Sequence, residues 1–238
     1  MSACLQLDHV YVNTDWGEPL FTDLSFALES GGAALVVGGS GSGKSVLLEM
    51  LIGARKPTSG SIEVLGTKVT QASRMRLRKL RAQIGGVGGA WALVDAWSVA
   101  ENVVLPLVIQ GERPKQVRER VIKALGDFQL GNIADSKVSR LTASQRFLTQ
   151  FARASIAHQP LLLVDEPMVG LDRGLLSLVE EKLLAASVSG RTILLTSSQP
   201  LPISIPSMQR YHFAHGQLFP DREPRLPERS TPDGEPKS

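Results

Sequence analysis

The chain has 238 residues, of which 42% are hydrophobic and 21% charged, and its formal net charge is +3. That length suffices for one large domain with a sizeable core, whereas the single cysteine, Cys4, excludes an intramolecular disulfide and a cysteine-bound metal cluster. No apolar run approaches the ~20 residues that span a bilayer, and the first residues lack the basic and apolar segments of a secretory signal.

The first third of the chain predicts strands that lead into a glycine-rich loop. Residues 5–12 and 24–28 alternate apolar and polar side chains, and residues 33–37 form the continuous apolar run of a buried strand. Residues 38–45 then read Gly-Gly-Ser-Gly-Ser-Gly-Lys-Ser and fit the pattern G-x-x-x-x-G-K-[ST]. Apolar residues at helical spacing follow. Strand, loop and helix are the context that this phosphate-binding pattern requires.

The chemistry of this loop follows from its backbone. Glycines allow successive N–H groups to point at a phosphate chain, and the start of a helix adds positive potential. We expect Lys44 to reach the β- and γ-phosphates as a catalytic residue, and the Ser45 hydroxyl to hold Mg²⁺. A merely flexible loop is the alternative, but Lys44, Ser45 and both flanking segments argue against it. The residues predicted to contact nucleotide here are Gly38, Gly39, Ser40, Gly41, Ser42, Gly43, Lys44, Ser45 and Val46.

The middle of the chain predicts a strand, a basic helix and a helical insert. Turn residues bracket a strand at 60–66, and residues 73–82 read as a helix with a basic cluster. This cluster faces anionic lipid, nucleic acid or, as the pattern favours, only solvent. Aromatic residues are just 5% and are not interleaved with it, so no nucleic-acid partner is expected. The helical insert spans about residues 90–150, with Pro106 and Pro114 as breaks. The cluster consists of Arg74, Arg76, Arg78, Lys79 and Arg81.

A second candidate site closes the apolar strand predicted at 161–165. Asp165 and Glu166 stand at its carboxyl end, where open α/β sheets bind their ligands. We expect Asp165 to hold Mg²⁺ and Glu166 to polarise the water that attacks the γ-phosphate. The alternative is a pair of acids that cap the next turn.

The remaining elements complete an α/β pattern. Helices are predicted at 143–157 and 173–187, a strand at 192–196, and a closing hairpin at 210–213 and 217–219 around His215-Gly216. From Pro220 to Ser238 the chain is rich in proline and charge, so a disordered tail is predicted.

Five motifs follow one another along the chain: the loop 38–45, Ala100-Glu101-Asn102-Val103, Leu141-Thr142-Ala143-Ser144-Gln145-Arg146, Leu163-Val164-Asp165-Glu166-Pro167 and Gly170-Leu171-Asp172. Together they resemble the nucleotide-binding subunit of ATP-binding cassette (ABC) transporters, over about residues 5–219. The segment 77–85 is most similar to the lipoprotein-releasing and cell-division types. The resemblance implies a P-loop NTPase core of the ABC ATPase type, with an antiparallel β subdomain and the helical insert, in one domain at 1–219.

The chain departs from the family at four places. Gly89 stands where the family has the glutamine that touches Mg²⁺ and the attacking water, and Ser198 stands where it has a switch histidine. The signature loop implies that Thr142, Ser144 and Gln145 contact nucleotide held by a second cassette, but Ala143 and Ser144 replace its glycines. The adenine-stacking aromatic is out of register. Trp16 either stacks on the base instead or is a partly buried residue of a surface turn.

The resemblance implies an ATP-binding subunit that works with Mg²⁺, a transmembrane subunit and a second cassette, either a copy of itself or a more intact one. It would lie peripherally on the cytoplasmic face of the membrane. We expect firm ATP binding and slow hydrolysis, because Gly89 and Ser198 remove positioning groups. Two alternatives stay open: a regulatory cassette that controls a membrane or cell-wall complex, and a soluble ATPase. Four residues are expected to meet the membrane subunit or to pack within the insert: Trp91, Leu93, Val94 and Trp97.

Overall fold

The computed structural model describes residues 3–14, 16–167 and 171–221. Within these ranges it has ten strands and six α-helices, joined by turns and short 3₁₀ segments. The strands are β1 (Ala3–Asn13), β2 (Pro19–Glu29), β3 (Ala33–Val37), β4 (Ser59–Val64), β5 (Thr67–Lys68), β6 (Ile84–Val87), β7 (Leu161–Asp165), β8 (Thr192–Ser197), β9 (Gln209–Ala214) and β10 (Gln217–Pro220). The helices are α1 (Lys44–Leu51), α2 (Arg74–Ala82), α3 (Val99–Gln110), α4 (Pro114–Asp127), α5 (Ala143–Ile156) and α6 (Arg173–Val188).

The strands form two sheets. The larger sheet has the order β10-β9-β3-β8-β7-β6; its strands β9, β3, β8, β7 and β6 run parallel, and β10 pairs antiparallel with β9. The smaller sheet, β2-β1-β4-β5, is antiparallel throughout. The α/β fold with an antiparallel subdomain is therefore as expected.

Two cores flank the large sheet. One lies between the two sheets and includes the apolar side of α1 with Leu80 of α2. The other packs α3, α4, α5 and α6 against the opposite face. Because both faces are covered, β3 is apolar throughout and β7 and β8 carry continuous apolar runs at 161–164 and 193–195, which explains why these strands were recognisable from the sequence.

The helix boundaries follow local capping chemistry. Ser98 and Glu101 form a capping box at the start of α3, Thr142 and Gln145 form another at α5, and Asp172 caps α6. Pro114 is the first residue of α4, where a missing N–H costs nothing. Among the described residues, no helix combines the length and the apolar character needed to cross a membrane.

The prediction that Pro106 breaks the insert is wrong, because α3 continues through it. An internal proline costs about 3 kcal/mol, but Val99, Val103 and Leu107 lie on one face of α3 and are fully buried. Burial of such side chains contributes about 1.5–3 kcal/mol each. The tertiary packing therefore outweighs the proline.

Smaller differences concern strand ends. The strand predicted at 60–66 ends at Val64, β5 was not foreseen, and Pro220 is the last residue of β10 rather than the start of a tail. Residues 222–238, to which the disordered-tail prediction mainly refers, lie outside the described residues, as does Gly170 of the fifth motif.

Candidate functional site

The predicted phosphate loop connects β3 to α1 at the carboxyl edge of the large sheet. It occupies residues 38–43, between Val37 and the helix start at Lys44. Gly43 has φ +102°, and a Cβ there would lie 2.4 Å from the Phe21 ring. Only glycine fits this left-handed, tightly packed position, so the loop is held against the small sheet.

Lys44 lies inside this loop. Its side chain is only 7% exposed, and its Nζ donates hydrogen bonds to the carbonyls of Gly38 (2.6 Å) and Gly39 (3.0 Å). Nζ also lies 3.9 Å from Oε1 of Glu166. An ammonium has three N–H donors, so one remains for an anion after the two carbonyls. The loop therefore surrounds the Lys44 ammonium and leaves it one N–H with which to bind an anion.

The loop contains a buried polar atom that lacks a partner. The Ser42 Oγ is buried and forms no hydrogen bond with any described residue. A buried hydroxyl without a partner costs free energy, and a phosphate oxygen would satisfy it. The first N–H groups of α1 likewise have no partner within the helix. The loop therefore fits a phosphate chain by the chemistry of its donors as well as by its sequence.

The two predicted metal ligands meet beside the loop. The Ser45 Oγ donates to Oδ2 of Asp165 across 3.4 Å, although the two residues are 120 positions apart. The other carboxylate oxygen, Oδ1, accepts a 2.6 Å hydrogen bond from Thr196 Oγ1. A hydroxyl and a carboxylate are hard oxygen donors of the kind that Mg²⁺ prefers. Sequence reasoning missed Thr196, although it is the partner of Asp165 in the β7–β8 register.

Glu166 is held by β8. Its N–H donates to the Thr196 carbonyl (2.9 Å), and Oε2 of its carboxylate accepts a 3.1 Å hydrogen bond from Ser198 Oγ. The backbone of Glu166 is left-handed, with φ +50°, which is uncommon for residues other than glycine and is concentrated at functional sites. Ser198, which stands at the switch-histidine position, thus contacts the candidate general base.

The loop after β6 is attached to α5 by two side chains that the sequence did not reveal. The N–H of Gly88 donates to Gln150 Oε1 (3.1 Å), and Gln150 Nε2 donates to the carbonyls of Gly88 (3.3 Å) and Trp91 (3.1 Å). Arg153 donates to the carbonyls of Ala92 (3.0 Å) and Trp91. Burial lowers the pKa of the Arg153 guanidinium from its usual value. We call Gln150 and Arg153, with the loop 88–92 that they hold, the loop clamp.

A cavity of about 250 Å³ lies beside the loop clamp. Of the four residues expected at a membrane-subunit contact, only Trp91 lines it. Leu93 is a core residue at 7% exposure, and Val94 and Trp97 are partly exposed outside the cavity. The cavity is lined by Trp91 together with Arg81, Leu105, Pro106, Ile109 and Gln159, among others.

For the other residues predicted to contact nucleotide, the structure gives only their positions. Thr142 and Gln145 use their side chains in the α5 capping box, and Ser144 follows in the first turn. Trp16 is 91% exposed on the turn between β1 and β2, and Val46 is half-buried in the first turn of α1. Their roles toward a nucleotide stay predictions.

Several known proteins are similar to this chain. The family model described as ABC transporter matches residues 21–169. The cell division ATP-binding protein FtsE of Haemophilus influenzae is 37% identical over 169 residues, which are 69% of this chain and 77% of that protein. The lipoprotein-releasing system ATP-binding protein LolD of Xanthomonas axonopodis is 31% identical over 189 residues, 79% of this chain and 78% of that protein.

A solved structure supports the fold. The dimeric structure of a post-hydrolysis state of the ATP-binding cassette MJ0796, bound to ADP and Pi, superposes with a TM-score of 0.83 at 23% identity. The match covers 90% of this chain and 96% of that one.

Proposed function

This chain belongs to the ABC transporter family of ATP-binding cassettes, and from that premise we propose that it binds Mg-ATP and drives or regulates a transmembrane partner. One observation carries the proposal. Lys44 and Ser45 at the start of α1 lie beside Asp165 and Glu166 at the end of β7, so two distant segments converge at one edge of the sheet next to a loop suited to phosphate. This is the edge at which α/β folds bind ligands.

We assign binding to the loop and α1. The backbone of residues 38–45 would surround the phosphates, Lys44 would neutralise them and Ser42 would donate its buried hydroxyl. Ser45 and Asp165 would hold Mg²⁺, which supplies charge stabilisation to the phosphates. Trp16, whose side chain is exposed on the turn between β1 and β2, is proposed to stack on the adenine base.

We assign the chemistry to Glu166, with slow turnover. Its carboxylate is the general base for the attacking water, and Ser198 holds that carboxylate through Oε2. Gly89 offers no side chain to orient the water, and loss of one such contact costs on the order of 10²-fold in rate. The isolated chain should therefore hydrolyse ATP more slowly than the ~1 per second at the low end of such enzymes.

Two partners follow from the family. The chain would pair with a second cassette, its own copy or a different one, with Thr142, Ser144 and Gln145 facing the partner's nucleotide. A transmembrane subunit would dock at the cavity lined by Trp91, which places the chain peripherally on the cytoplasmic face of the membrane. The relatives FtsE, a cell division ATP-binding protein, and LolD, the ATP-binding protein of a lipoprotein-releasing system, support this arrangement.

A second candidate is a regulatory cassette that binds ATP without driving transport. The observation in its favour is the missing side chain at Gly89, where a Cβ would meet no atom within 4 Å. Substrate movement by the chain and its membrane subunit in reconstituted vesicles distinguishes the two: ATP-dependent movement supports transport, and its absence with ATP binding intact supports regulation.

Substitution of Lys44 tests the binding site. Lys44→Ala should abolish Mg-ATP binding, measured by calorimetry, because the neutralising ammonium is lost. Lys56→Ala, which removes an exposed lysine outside the site, is the matched control and should bind normally. Retained binding by a folded Lys44→Ala protein would reject the assignment, and turnover at rates usual for enzymes in the unaltered chain would reject slow hydrolysis.

A further inference from the structure

Helix α2 concentrates positive charge. It carries five basic residues and no acidic one, in a chain whose formal net charge is +3, so the rest of the chain is net negative. Arg81 is used by the fold, since it donates to the carbonyls of Ile52 (2.8 Å) and Gly53 (3.1 Å). The other four are exposed and are called the basic face: Arg74, Arg76, Arg78 and Lys79.

The basic face has no compensating acids. None of its four side chains forms an ion pair with a residue in the described ranges. Arg74 and Arg78 are four residues apart on the helix, and like charges at this spacing repel each other. No ion pair within the described residues offsets this repulsion, and an external anion would offset it.

The arrangement around the helix favours a membrane surface. Leu80 is buried and Leu77 half-buried on the inner side, whereas Met75 lies on the opposite side and is 69% exposed. Helical spacing places Arg78 and Lys79 on either side of Met75. Exposed cations are attracted to anionic headgroups, and an apolar side chain between them gains by insertion into the headgroup region. Because α2 has no aromatic residue on which bases could stack, nucleic acid is disfavoured.

The position of α2 points the same way. Its last turn, at Arg81 and Ala82, lines the cavity that contains Trp91 and Ile109. The proposed function assigns this cavity to the transmembrane subunit. Ile109, which lines this cavity from α3, is 62% exposed. The helix that carries the basic face therefore also contributes, through its last turn, to the cavity assigned to the membrane subunit.

We propose that the basic face of α2 binds the anionic phospholipid headgroups of the membrane, with Met75 inserted between them. This contact would act beside the protein partner at the cavity and orient the cassette on the bilayer. Its placement rests on the proposed function, whereas its chemistry rests on α2 itself.

Vesicle flotation tests the proposal. The full chain should float with vesicles of phosphatidylcholine mixed with phosphatidylglycerol, and not with phosphatidylcholine alone. Binding should fall as salt is added, because exposed charges are screened. Each single substitution, such as Arg78→Gln or Lys79→Gln, should lower the partition coefficient about fivefold, and the combined variant of the basic face should not bind. Met75→Gln should weaken binding where Met75→Leu does not.

The matched control removes four exposed cations elsewhere: Arg113, Lys115, Arg118 and Lys137, each changed to Gln. It should float like the unaltered chain, and equal losses in both quadruple variants would overturn the proposal in favour of net charge. Failure of the unaltered chain to float, or binding of an oligonucleotide through the basic face without vesicle binding, would also overturn it.

ATP binding is measured on each protein: a chain that binds ATP but not vesicles refutes this inference alone, and one that binds no ATP refutes the proposed function.

Discussion

At the scale of single residues, close backbone approach explains which glycines matter in β6 and after it. A Cβ on Gly85 would lie 2.3 Å from the carbonyl oxygen of Ala154 in α5, a backbone atom that also accepts from Arg191. A Cβ on Gly89 would meet nothing within 4 Å. Steric reasons therefore require glycine at the first position and leave room for a Cβ at the second.

Substitution with alanine should separate these two glycines. Gly85→Ala should lower the free energy of unfolding by about 3 kcal/mol or more, because an over-packed strand must move away from α5. Gly89→Ala is the matched control and should change it by less than about 0.5 kcal/mol. Urea denaturation of both variants gives the comparison, and equal stabilities would contradict the close packing of β6 on α5.

The role of the buried cation Arg191 likewise depends on tertiary packing. Arg191 is 6% exposed and donates to the carbonyls of Gln159 (2.8 Å) and Ala154 (2.9 Å). Burial lowers its pKa to about 10, so it stays protonated at neutral pH. Nothing in the sequence distinguishes Arg191 from an exposed arginine, because its partners are carbonyls from distant parts of the chain.

At the scale of elements, the loop clamp joins β6 to the helix that begins with the signature segment. Gln150 alone makes three of its hydrogen bonds, with Gly88 and Trp91. Loop 88–92 is therefore tied to α5, at whose start Thr142 and Gln145 lie. This link does not depend on a side chain at Gly89.

Removal of Gln150 tests the clamp. Gln150→Ala should destabilise the protein by about 1–3 kcal/mol, since half-buried backbone groups lose their partners. It should also speed hydrogen exchange at residues 88–92 more than in the β3 strand. Gln116→Ala, on an exposed position of α4, should leave both unchanged. Unaltered exchange at 88–92 in Gln150→Ala would show that the clamp does not restrain the loop.

At the scale of the whole molecule, one chain supplies the phosphate loop, Asp165 and Glu166 at one edge, and Thr142 to Gln145 at the start of another helix. If the proposed pairing is correct, catalysis requires ATP to lie between the phosphate loop of one chain and the segment 142–145 of its partner. Neutralising Glu166 should leave ATP bound, because Lys44, Ser45 and the loop remain in place.

Glu166→Gln should therefore dimerise with Mg-ATP and stay monomeric without nucleotide, as judged by light scattering after gel filtration. Glu181→Gln, which removes an acid paired with Lys182 on α6, controls for the loss of one charge, and its oligomeric state should match that of the unaltered chain. Adding Lys44→Ala to Glu166→Gln should abolish the dimer. A Glu166→Gln protein that binds ATP but remains monomeric would count against pairing with a second copy.

The sequence by itself determined the predicted phosphate loop, the acidic strand end and the α/β class, because each depends on residue types at short, regular spacing next to apolar runs. The tertiary structure alone decided which distant groups meet: Thr196 with Asp165, Ser198 with Glu166, and Gln150 with Gly88. It also decided that α3 continues through Pro106. The physical reason is common to all four cases, since hydrogen bonds between strands and burial against a core depend on strand order and helix packing, which local spacing does not encode.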